Sequence, residues 1–103
     1  MPLLNTMIGR LNTRIASASA PYEQFIYLAD VHFDSSKTND GFKKILAQIE
    51  DQEKDKTLFI LIGGDMVDKG SDANYTAFIG KCDEFYAQTG IPIIPTMGNH
   101  VAW

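Results

Sequence analysis

With 103 residues, 45% of them apolar and 21% charged, the chain has the composition of one small globular domain, not of a disordered segment. Its formal charge of −4 argues against a broad electrostatic nucleic-acid footprint. The single cysteine, Cys82, excludes an internal disulfide, and no apolar run approaches the ~18 residues of a membrane span.

Residues 1–20 carry Leu4, Ile8, Leu11 and Ile15 at helical spacing, which predicts an amphipathic N-terminal extension ahead of a domain over 21–103. Ala18 and Ala20 imitate a signal-peptide cleavage site. Asn5, Arg10, Asn12 and Arg14, however, interrupt any apolar segment before it. With no leader and one cysteine, the expected location is the cytoplasm.

Phe25–Ala29 is a continuous apolar run, read as a strand buried on both faces. The turn cluster at 39–41 opens a helix whose buried face is Phe42, Ile45, Leu46 and Ile49. Lys43, Lys44, Gln48, Asp51 and Gln52 lie opposite. Thr57–Ile62 is a second buried strand. Ser71 or Asp72 can cap a second helix, with Tyr75, Phe78, Ile79, Cys82, Phe85 and Tyr86 in helical period and Gly90 just past its end. Ile91–Thr96 is a third, edge-like strand broken by Pro92 and Pro95. The order β-α-β-α-β predicts an α/β fold with a parallel sheet and right-handed crossovers.

Ligands of such sheets bind beyond the carboxyl ends of the strands. There the first strand delivers Asp30, Val31 and His32, and the second delivers Gly64, Asp65 and Asp68. The third delivers Gly98, Asn99 and His100. Carboxylate oxygen and imidazole nitrogen are the donors that divalent cations take. In an extended Asp-x-His segment both side chains fall on one side, so Asp30 and His32 can grip one ion. Asp65 has two oxygens and can bridge two ions, and Asn99 offers a neutral oxygen to the second. Gly63 and Gly64 give the backbone room to turn. Asp68 suits a different task, orienting His100 and raising its pKa so that it can donate a proton. Any one cluster alone fits an ordinary polar loop. Three on converging loops, each with ligand chemistry, point to a metal centre.

Asp30-x-His32, Gly64-Asp65-x-x-Asp68-x-Gly70 and Gly98-Asn99-His100 together resemble the calcineurin-like metallophosphoesterase family. The wording between them is most similar to members related to cyclic-nucleotide phosphodiesterases. The resemblance implies a four-layer α/β/β/α sandwich of which this chain supplies the β-α-β-α-β half, with manganese, iron or zinc as cofactor. It implies one metal held by Asp30, His32 and Asp65 and a second held by Asp65 and Asn99. His100, with Asp68 as partner, would serve the leaving group, and a metal-bound hydroxide would attack the phosphorus of a phosphomonoester or phosphodiester substrate. Two departures stand out. Val101 replaces an acidic residue usual in the family. The chain also holds only two histidines, whereas the family draws further histidine ligands from its second half. The expectation is therefore a chain that is inactive, or nearly so, alone. The competing expectations are a half-domain that self-associates through an exposed sheet face or edge, and a receiver-like signalling domain.

Overall fold

The computed structural model describes residues 2–19, 21–64 and 72–95. Three strands, β1 (Gln24–Ala29), β2 (Thr57–Gly63) and β3 (Ile93–Pro95), form one sheet in the order β1-β2-β3. Both pairings are parallel. Helix α2 (Asp40–Gln48) connects the first pair and α3 (Asp72–Thr89) the second. Both crossovers run in the same direction across the sheet, so right-handed connections place both helices on one face. Their inward residues Phe42, Leu46, Phe78, Cys82 and Phe85, with Ile49 just past α2, meet Ile60, Ile62 and Ile93 of the sheet in a single core.

Local chemistry explains most boundaries. Asn39, at φ 55°, turns the chain into α2. The helix loosens and then tightens past Gln48, through a π turn at Ile49–Glu53 and a 3₁₀ turn at Lys54–Lys56, before Thr57 starts β2. Helix α3 ends on Gly90 at φ 77°, whose N–H bonds Tyr86 O at 2.7 Å, as expected for a left-handed stop. Thr89 seals the same end: its hydroxyl donates to Phe85 O and accepts from Ile91 N–H. Among the described strands β3 is an edge, where Pro92 and Pro95 cost least, and Pro92 O still accepts from Ile60 N–H at 2.9 Å.

Three expectations need correction. β1 is not buried on both faces: Ile26 and Leu28 pack on the core, while Phe25 and Tyr27 are 55% and 56% exposed. The physical reason is that both helices cover the same face. Phe25 stacks on Phe59 with ring centroids 5.0 Å apart, beside an irregularity where β2 gains a residue relative to β1. In α2, Ile45 lies on the flank of the buried stripe and is 43% exposed.

The third correction concerns α1 (Pro2–Ala16). Ile8 and Ile15 face solvent, and Met7 and Arg14 are the buried residues. The helix is rotated because Arg14 finds backbone partners. Its guanidinium donates to Lys54 O at 2.6 Å, Thr57 O at 2.9 Å and Thr89 O at 3.5 Å, and it lies 4.3 Å from the centre of the Tyr22 ring. Arg10 adds an ion pair to Asp83 at 2.7 Å and sits over the Tyr86 ring. These contacts attach α1 where β2 begins and α3 ends, the sheet end opposite Asp30 and Gly64. No described helix is long and apolar enough to cross a membrane.

Candidate functional site

The candidate site begins where β1 and β2 leave the sheet. Their register pairs Ala29 with Gly63, and Asp30 N–H donates to Gly63 O at 3.1 Å, so Asp30 and Gly64 emerge side by side. Gly64 turns at φ 69°. A Cβ there would collide with the Asp30 carboxylate oxygen and lie 3.1 Å from its Cγ and 3.3 Å from its backbone nitrogen. Only glycine fits that conformation with a carboxylate packed against its Cα. Gly63 does something else: it stays in the strand and makes room for the Tyr27 ring.

The backbone of the first motif departs from expectation. Asp30 and His32 both lie in the left-handed region, at φ 54° and 51°, so the segment is not an extended strand continuation. Such residues are uncommon outside glycine, with Asn, Asp and His the more tolerant types, and each costs on the order of 1–3 kcal/mol. The double twist still sorts the side chains. Asp30 and His32 are exposed, while Val31 packs on the core and Phe33 is 3% exposed.

The loop beyond His32 is held firmly. The Phe33 ring meets Phe42 at 6.3 Å and Phe78 at 5.7 Å, both edge-on. Asn39 braces Asp34 from both sides, accepting its N–H and donating to its carbonyl, each at 2.9 Å. The Asp34 carboxylate accepts Ser36 N–H and Oγ–H. Asn74 of α3, 4% exposed, accepts Ser35 N–H and Oγ–H at 2.8 Å each. Sequence reasoning passed over Phe33, Asp34, Asn39 and Asn74 as site-shaping residues. The available signals were the Asp-Ser-Ser run, which favours local side-chain-to-backbone bonds, and an asparagine in a helix first turn.

Of the six residues assigned by the motifs, Asp30 and His32 are brought together on one loop. Asp65, Asp68, Asn99 and His100 lie outside the described residues. Among the described residues no three His, Cys, Asp or Glu side chains gather into a cation site. The donor chemistry of Asp30 and His32 suits a divalent ion, and Gly64 keeps the space beside Asp30 clear of a side chain. Cys82 is no candidate: it is fully buried in the core, and burial pushes its thiol up to about 12.

No curated protein and no solved structure matches the chain. A family model for calcineurin-like phosphoesterases, however, matches residues 24–102, which span all three strands and all three motifs. With that match over most of its length, a parallel α/β sheet and Asp30, His32 and Gly64 at its carboxyl edge, the chain belongs to the calcineurin-like phosphoesterase family.

Proposed function

We propose that this chain carries the metal-binding motifs of a phosphoester hydrolase. Family membership suggests metal-dependent phosphoester hydrolysis in general and displaces the receiver-like alternative. The observation that supports the finer reading is the left-handed backbone at both Asp30 and His32, strain placed on two residues of ligand chemistry at the sheet edge. Asp30, His32 and Asp65 would hold one divalent ion, and Asp65 with Asn99 a second, from manganese, iron or zinc. When bound, such ions acidify coordinated water and neutralise charge on the phosphoryl oxygens. His100 gives its proton to the leaving oxygen, and Asp68 orients the ring and favours its protonated form. The substrate is a phosphomonoester or phosphodiester, the cyclic-nucleotide type included.

The sequence holds two histidines, both already assigned, so it offers the second ion no further imidazole beside Asp65 and Asn99. The isolated chain should therefore bind about one ion and turn over poorly. Titrating the metal-free chain with manganese, beside Asp65→Asn, tests this. Binding of about one ion by the wild type, abolished in the variant, is the expected result. No binding at all overturns the metal assignment. Rapid hydrolysis of bis(p-nitrophenyl) phosphate by the isolated chain overturns the incomplete second site.

A second reading rests on the outer face of β1. Phe25 and Tyr27 leave apolar surface bare, which favours self-association. Sedimentation velocity across a concentration series is the test, and a monomer throughout removes this reading.

A further inference from the structure

We propose that Asn74 is a positioning residue for the Asp30–His32 loop, reaching it from α3. Asparagine is poorly suited to a helix and is disfavoured in a buried place, yet Asn74 is 4% exposed in the first turn of α3. Its Oδ1 takes two donors from one residue, Ser35 N–H and Ser35 Oγ–H, at 2.8 Å each. A backbone N–H requires an acceptor, so the amide oxygen must be the atom that faces the loop. One turn further along the same helix, Phe78 packs edge-on against Phe33 at 5.7 Å. Thus α3 grips the chain at Phe33 and again at Ser35, and Asn39 ties Asp34 between them. Three consecutive residues are fixed immediately after His32. A residue cannot leave the left-handed region unless the chain on one side of it moves. The grip therefore holds His32, and through Val31 Asp30, in that conformation. The helix that follows the second motif sets the geometry of the first.

The functional meaning rests on the proposed metal role of Asp30 and His32, but the grip can be measured without metal. Amide hydrogen exchange and the His32 imidazole resonances would be recorded on the metal-free chain for wild type, Asn74→Ala, Asn74→Asp and Ser35→Ala. Aspartate keeps the acceptor oxygen and should stay near wild type. Asn74→Ala should speed Ser35 exchange about 10-fold or more and shift the His32 resonances, and Ser35→Ala, at an exposed position, should loosen the loop about 2- to 10-fold. Manganese affinity should fall about 10-fold in Asn74→Ala and recover in Asn74→Asp. Unchanged His32 resonances and Ser35 exchange in Asn74→Ala overturn the proposal, as does a loss of thermal stability with manganese affinity intact. If Asn74→Ala does not fold, Ser35→Ala decides by the same readouts. A wild-type chain that binds no manganese overturns the metal role instead, and the exchange and resonance data still judge the grip.

Discussion

Gly64→Ala is the sharpest perturbation of the site, because two separable costs meet at one atom. The first is backbone strain. At φ 69° an L-residue sits in the left-handed region, at about 1–2 kcal/mol. The second is steric. The new methyl would overlap the Asp30 carboxylate oxygen and crowd Cγ at 3.1 Å, with the Asp30 nitrogen at 3.3 Å behind it. The carboxylate must swing off its rotamer, at about 0.5–1.5 kcal/mol. Together these give a loss of about 1.5–3.5 kcal/mol by urea denaturation.

A double-mutant cycle separates the two costs. In an Asp30→Gly background the side-chain collision is gone, leaving the backbone strain and the 3.3 Å approach to the nitrogen of residue 30, so Gly64→Ala should cost about 1–2 kcal/mol there. A coupling energy of about 1 kcal/mol between positions 30 and 64 is the expected result. Gly64→Asn supplies a second check. Asparagine tolerates left-handed backbone but still carries a Cβ, so it should relieve the strain and keep the collision. Equal costs of Gly64→Ala in both backgrounds would refute the packing of Asp30 against Gly64.

Arg14→Met should destabilise the chain by about 3–5 kcal/mol, since it removes charge-assisted donors from Lys54, Thr57 and Thr89 carbonyls buried beneath α1; a loss under about 1 kcal/mol would mean that α1 is only loosely attached. Phe33→Ala should cost about 3–5 kcal/mol and loosen the loop that carries His32, read by denaturation and by the His32 resonances. Cys82, its thiol raised to about 12 by burial, should resist iodoacetamide at pH 8 until urea unfolds the chain, and rapid labelling of native protein would contradict its place in the core. Glu53 is held below its usual carboxylate range by its hydrogen bond to Lys56, with Gln24 adding a second. Its contribution to stability is therefore present above the unfolded pKa and lost as pH falls through the folded one. Lys56→Met should flatten the acid limb of a stability–pH curve in that window, and an unchanged limb would dismiss the pair.

Much of the architecture was legible because apolar runs and helical periods are set by burial, and burial dominates this fold. The strands read at 25–29 and 57–62 and the buried stripe through Phe78, Cys82 and Phe85 follow from that one effect, and the stop at Gly90 from its left-handed backbone. Reading failed where a residue's environment depends on what is packed elsewhere. Phe25 and Tyr27 look like core residues in a list, yet the two helices cover only the other face. Arg14 looks like a solvent residue, yet three backbone carbonyls make its burial favourable, and the helix rotates to place it there. At the site, the residue types of the first motif were legible from donor chemistry. Their backbone was not, because an alternating pattern reads as extended when left-handed turns at Asp30 and His32 separate the same side chains equally well.

The twist at Asp30 and His32 is stable only if the rest of the loop over-determines it. Two left-handed residues cost roughly 2–6 kcal/mol between them. Against this stand four side-chain hydrogen bonds to Asp34 and Ser35, on the order of 0.5–1.5 kcal/mol each. Burial of the Phe33 ring adds roughly 1.5–3 kcal/mol. The restraints match or exceed the strain without any contribution from a ligand. The loop therefore reaches its shape during folding, and a cation bound as proposed above would meet Asp30 and His32 already set in place. That order of events predicts that metal tightens this loop only slightly, and that residues buried behind it, Phe33 and Asn74, govern affinity as much as the donors' own flexibility does.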